Sequence, residues 1–212
     1  LSAATVASMG YLTLRREAHA EIEIKRSRFI ARVAPVETEE AARAVIEEQR
    51  AVHPKARHHC TAFILDADGR TQRFNDDGEP AGTAGAPILE VLTGHELTYV
   101  AAVVTRYFGG TLLGAGGLVR AYGGAVSAAL EDAEVVTRTL LTPVAAELDY
   151  ATAAAAQRQA QQAGWQVIDS DYGASVRHVF AVPADEVEAC AAMLADVSAG
   201  VAAPEVGDPV YR

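Results

Sequence analysis

Apolar and polar residues alternate with period two along Glu21-Ile22-Glu23-Ile24-Lys25 and again along Arg28-Phe29-Ile30-Ala31-Arg32-Val33. Half-buried strands carry this pattern, and it predicts a hairpin or a long bent strand pair. Thr38 followed by Glu39 and Glu40 reads as an N-cap with carboxylates at the positive end of a helix running to about residue 50. Residues 61–65 and 71–74 flank Asp66-Ala67-Asp68-Gly69 and predict an antiparallel hairpin. Residues 75–85 hold too many breakers for regular structure and read as a loop. Pro87 then suits the first turn of a short helix through Leu92, ended by Gly94. Residues 97–108 form a nearly continuous apolar run, as a strand buried on both faces does, and a helix is expected from Leu118 to about Ala133. The pattern resets near residues 138–142. Strands at 144–148, 165–168, 175–182 and, weakly, 201–210, with helices at 151–163 and 185–197, give the order β-α-β-β-α-β. That order defines a ferredoxin-like split βαβ unit. The expected organisation is a lead-in at 1–20, whose first eight residues read as an extension ahead of Met9, an α/β domain at 21–138 and a ferredoxin-like domain at 142–212.

Between the apolar run and the helix after it lies a glycine-rich turn. Seven of the 17 glycines fall between Gly109 and Gly124. Gly109, Gly110, Gly114, Gly116 and Gly117 can expose backbone N–H groups and let a phosphate, a carboxylate or another backbone approach closely. The turn matches no nucleotide loop. No lysine occurs after Lys55, which excludes a Walker A loop, and Val119 stands where a dinucleotide fingerprint starting at Gly114 needs glycine or alanine. Close packing alone and a packed turn that also takes an anion remain open.

Charge narrows the range of partners. The net charge is −10. Residues 1–140 hold 15 basic and 18 acidic side chains, whereas residues 141–212 hold three and ten. Strong non-specific affinity for nucleic acid needs Lys and Arg on phosphates, so any RNA contact is expected in the first domain. The two cysteines, Cys60 and Cys190, exclude a disulfide framework and read as buried small hydrophobes. No apolar run approaches a membrane span and no signal-peptide pattern opens the chain, so a cytoplasmic protein is expected.

Two clusters invite chemistry. His58 and Cys60, two apart on a predicted strand, share a face. Two ligands do not make a zinc site, and His53, His95 and His178 lie in unlike segments. A buried thiol beside a hydrogen-bonded histidine is the reading favoured over Cys–His catalysis. Asp76, Asp77 and Glu79 crowd three carboxylates beside Gly78 and Pro80. They could hold a divalent cation or a proton for acid–base work, or form a turn that caps backbone N–H groups and binds arginine. The turn is favoured, and Arg106 is expected to pair with one of the three. Arg26, Arg28, Arg32 and Arg120 could add a basic patch. Ser27 and Thr83 are candidate hydroxyls without a nucleophile-elbow sequence. No catalytic residue, cofactor or metal is assigned.

Lys25-Arg26-Ser27-Arg28-Phe29-Ile30-Ala31, the segment 56–63 with His58 and Cys60, the loop 75–85 and the stretch 106–122 together resemble the YigZ/IMPACT family. Asn75 and Ala81 stand where relatives often carry serine, and leucine replaces lysine at 112 or 113. The resemblance implies a first domain of the ribosomal-protein/kinase-like superfold and a second similar to domains of translation elongation factor G. Eukaryotic relatives act in translational control through protein–protein binding, restraining activation of an initiation-factor kinase. The resulting expectation is a non-enzymatic translation-associated regulator that binds ribosomal components, RNA or a regulatory protein. The alternative is a nucleotide- or phosphate-binding enzyme that uses the turn at 109–117. The expected binding residues are Arg26, Arg28, Asp76, Asp77, Glu79, Arg106, Gly109, Gly110, Gly114, Gly116, Gly117 and Arg120.

Overall fold

A computed structural model describes residues 10–212, in which Tyr11–Thr137 form one compact unit and Arg138–Arg212 belong to a second, the division falling at the last residue of the strand Val135–Arg138. The extension expected at residues 1–8 lies outside the described residues.

The first unit contains β1 (Tyr11–Leu14), β2 (Ala18–Ile24), β3 (Ser27–Pro35), α1 (Glu39–Val52), β4 (His58–Leu65), β5 (Thr71–Asn75), α2 (Gly85–Gly94), β6 (Val100–Tyr107), α3 (Ala115–Leu130) and β7 (Val135–Arg138). The expected hairpin is β2–β3, closed by Lys25 and Arg26, both at positive φ, as a two-residue turn between twisted strands requires. Thr38 accepts the amide of Ala41 at 3.1 Å and caps α1 as its sequence indicated. One five-stranded sheet runs in the order β2-β3-β6-β4-β5, every pairing antiparallel. The apolar run becomes its central strand. Val100, Ala102 and Val104 of β6 join Phe29, Ile88, Leu118 and Val126 in a core under α2 and α3. Ala101 and Val103 join Val45, Phe63 and Leu65 in a core under α1. Helices cover both faces, which is why β6 shows no alternation.

Boundaries in the first unit differ from the sequence reading at two places. Residues 11–20, expected as lead-in, hold β1 and the start of β2, and β1 pairs with β7 in a small separate sheet. Four-residue strands carry too few alternations to register in a pattern. The helix expected from Leu118 begins at Ala115, because a glycine-rich first turn hides its helical period.

The second unit contains β8 (Leu140–Leu148), α4 (Tyr150–Ala163), β9 (Gln166–Tyr172), β10 (Val176–Pro183), a 3₁₀ turn (Ala184–Glu186), α5 (Val187–Val197), β11 (Glu205–Val206) and β12 (Val210–Tyr211). The order β11-β8-β10-β9, antiparallel throughout, is that of a split βαβ unit. Asp149 caps α4 through Thr152, and Gly164 ends it in the left-handed conformation. Val144, Phe180, Cys190 and Leu194 fill the core. The single weak strand expected at 201–210 is two short strands on β8, β11 and β12. Gly207 between them donates to the Pro143 carbonyl at 2.8 Å, and the chain continues through Asp208 and Pro209, which has no amide hydrogen for the ladder.

Candidate functional site

The segments singled out in the sequence of the first unit converge on one end of its sheet. Register places His58 opposite Arg106 and Phe29 opposite Arg106 on the other side, so β3, β6 and β4 end side by side. Position parity then sorts the side chains. Arg106 follows Val104 to the face under α3, whereas Thr105 and Tyr107 follow Val103 to the face under α1.

The acidic loop closes over this end, each carboxylate holding a different neighbour. Asp76 accepts the amides of Gly82, Ala84 and Gly85 at 2.8, 3.0 and 2.8 Å, so its carboxylate fixes the loop and the start of α2. Burial pushes its carboxyl up, but the three N–H bonds outweigh that and leave it below the ordinary aspartate value. Asp77 accepts the amide of His59 at 2.7 Å and the Arg50 guanidinium at 2.9 Å. Burial again opposes these bonds, and the net direction is down. Glu79 accepts Arg106 Nη1 at 2.5 Å and the Tyr122 hydroxyl at 2.8 Å. Both charged side chains of this pair are almost fully buried, Arg106 at 7% and Glu79 at 5% exposure. The expected pairing of Arg106 with the acidic loop is therefore present, through Glu79.

His58 and Cys60 share the α3 face and are tied to the loop backbone. The Cys60 thiol donates to the Asp76 carbonyl at 3.0 Å. His58 Nδ1 lies 2.8 Å from the Asp77 carbonyl, which can only accept, so the proton sits on Nδ1. Burial drives the Cys60 thiol up to about 12 and raises the Tyr122 phenol as well. A thiol held so far from thiolate is a poor nucleophile at neutral pH. No group of three or more His, Cys, Asp or Glu able to hold a metal occurs among the described residues.

The glycine turn is clamped to the β2–β3 hairpin. Gly109 donates to Ser27 Oγ at 3.1 Å, and a Cβ at Gly109 would lie 2.1 Å from the Arg26 carbonyl carbon. Only glycine permits that approach. Arg26 Nη2 reaches Thr111 Oγ1 at 3.3 Å across the same junction. Gly114 takes φ +71° ahead of α3, which has no side-chain cap, and Gly116 lies on its first turn against Arg120. The Arg106 guanidinium sits between the Phe29 and Phe108 rings, 5.4 and 5.5 Å from their centroids.

The four arginines considered as a patch do not act together. Arg28 is bound in two places by Glu21 at 2.6 and 3.0 Å, and Arg32 by Glu17 and Glu48. Glu21 on β2, Glu17 just before it and Glu48 on α1 neutralise them, leaving Arg26 and Arg120 with exposed charge. Sequence reasoning assigned no role to Tyr122, Arg50 or His59. Tyr122 carries a hydroxyl in an otherwise apolar helix face, a usable signal, but nothing local marks Arg50 as the partner of a loop 27 residues away. His59 Nε2 and Thr105 Oγ1, on paired positions of β4 and β6, are buried with no hydrogen-bond partner among the described residues. In the second unit a cleft of about 460 Å³ is lined by Glu147, Ser175, Arg177 and Glu205. There Arg177 pairs with Glu205 and Ser175 with Glu147, so those polar groups satisfy one another.

Fold and site define a two-unit α/β protein in which an acidic loop and a glycine turn lock the end of a helix-covered sheet. A family model for the Impact N-terminal domain matches residues 25–130, and one for a domain of unknown function (DUF1949) matches 147–201. IMPACT family member YigZ of Escherichia coli (strain K12) is 46% identical over 180 residues, covering 84% of this chain and 88% of that protein. IMPACT family member YvyE of Bacillus subtilis (strain 168) is 36% identical over 201 residues, covering 95% and 93%. A solved structure described only as that of a hypothetical protein is similar at a TM-score of 0.65 and 41% identity, over 94% of this chain and 98% of its own. The chain belongs to the IMPACT family. No helix among the described residues is long and apolar enough to cross a membrane.

Proposed function

We propose that this protein is a non-enzymatic, translation-associated regulator that docks through its first unit on ribosomal components, RNA or a regulatory protein. The observation that carries the reading is the mutual engagement of the reactive groups. Asp76, Asp77, Glu79, Arg106, His58, Cys60 and Tyr122 bind one another or nearby backbone, so the loop acts as a lock and not as a catalytic constellation. Family membership supports the translational context. The lock presents a rigid glycine turn and hairpin to solvent, as a docking element requires.

Co-sedimentation of the full chain with ribosomes at low and moderate salt tests the reading. Binding at low salt that weakens as salt rises is expected, because contacts between Lys or Arg and an anionic partner are screened and release counterions. Absence of binding under both conditions, together with robust turnover of phosphate esters, peptides or nucleotides, would overturn it. The second reading, a phosphate-binding enzyme, draws on the uncapped start of α3. Saturable thermal stabilisation by nucleotides or inorganic phosphate would promote it.

A further inference from the structure

We infer that the surface around the glycine turn is a docking site for an acidic protein segment carrying a bulky apolar anchor. The inference rests on the docking reading above and names its partner.

Three apolar side chains stand out from this surface: Leu112 at 84% exposure, Phe108 at 50% and Val119 at 37%. Lys25, Arg26 and Arg120 are exposed beside them, and none has a carboxylate partner among the described residues. No Asp or Glu occurs between Leu97 and Leu130, whereas the whole chain carries −10. The turn is thus a cationic and apolar island on an acidic protein. Its parts are held together before any partner arrives, by the Gly109–Ser27 and Arg26–Thr111 bonds and by the backbone approach at Gly109. A preformed surface of this kind loses little ordering entropy on binding.

Charge count and side-chain shape select protein over RNA. Three exposed cations can neutralise about three phosphates, while the rest of a −10 chain repels a long polyanion. Bases stack on aromatic faces, and of the three only Phe108 has one, its ring already set against the Arg106 guanidinium, while Leu112, the most exposed, offers none. A short segment with two or three carboxylates around one apolar side chain matches both features. Rim charges then set the on-rate and the buried anchor the off-rate.

A displayed library of short random peptides, panned on the full chain, tests this directly. Enriched sequences should place Asp or Glu around Leu, Phe or Trp. A labelled peptide from that pool should lose about tenfold or more in affinity on Leu112→Ser, the loss expected when an apolar anchor goes unburied. It should also weaken on combined Arg26→Glu and Arg120→Glu and as salt rises. Leu112 contributes little to the core, so circular dichroism of Leu112→Ser should match the parent. Neutral or basic winners, no enrichment, or equal binding to Leu112→Ser would overturn the inference. So would binding of labelled oligouridylate, lost on the charge reversals, in place of peptide binding. Ribosome co-sedimentation that survives in Leu112→Ser would sink this inference while leaving the docking reading intact.

Discussion

Replacing Glu79 by alanine removes the anion that faces Arg106 in a site where both charges are almost fully withdrawn from water. Breaking a buried ion pair from one side leaves the other charge uncompensated, a loss of about 3–5 kcal/mol. Tyr122 also loses its acceptor, worth roughly 1–3 kcal/mol if the hydroxyl finds no substitute, although contributions in one network do not add. A loss of about 4 kcal/mol is expected. With a urea slope of about 2 kcal/mol per molar, the midpoint should fall by about 2 M at unchanged slope. The probe must belong to the first unit. Trp165, the one tryptophan, sits in the second and donates to Glu186, so its fluorescence should not report the change. Amide exchange is the better assay, since Gly82, Ala84 and Gly85 are held by Asp76 on the same loop and should lose protection. The double variant Glu79→Leu with Arg106→Leu should recover much of the loss, because an apolar pair replaces a buried ionic one at little net cost. A loss below about 1 kcal/mol in Glu79→Ala, with loop protection intact, would refute the claim that this pair locks the site.

Acid should act in two windows. His59 is lowered, chiefly by burial, and His178 likewise, so their contribution is present above the ordinary histidine value and is lost as pH falls through the folded values. Asp76 and Asp77 are lowered too, so their share is complete above the ordinary aspartate value and is lost only at more acidic pH. Denaturation midpoints measured against pH should fall in two stages, the second weakened in Asp77→Asn. Gly109→Ala should destabilise the first unit by about 1–3 kcal/mol or more, since the new methyl group must displace the β2–β3 turn, and a melting temperature equal to the parent would contradict the close approach. Iodoacetamide should leave both cysteines of the native protein nearly unlabelled at neutral pH, because burial pushes Cys60 to about 12 and Cys190 to about 11. Labelling should turn fast in denaturant, and rapid native labelling of Cys60 would argue for a reactive thiol.

Local pattern was enough for much of this protein. Period-two alternation in β2 and β3, the Thr38 cap, the helix expected at 151–163 and the β-α-β-β-α-β order depend on residues close in the chain, and interactions of that range leave a periodic trace. The pairing of Arg106 with the acidic loop was legible for a different reason, since a cation on an apolar strand needs a carboxylate and one acidic cluster stood nearby in chemistry. Choosing Glu79 over its neighbours took the tertiary structure. Strand parity sends Arg106 to the α3 face, and the loop turns Asp76 toward α2 and Asp77 toward α1. Parity and packing also separated Arg28 and Arg32 from Arg26 and Arg120, because the fold brings Glu21 of β2 to Arg28, and Glu17 ahead of β2 and Glu48 of α1 to Arg32. Spacing along the chain could not reveal that Gly109 exists for backbone contact with Arg26, a meeting across 83 residues that only the folded sheet brings about.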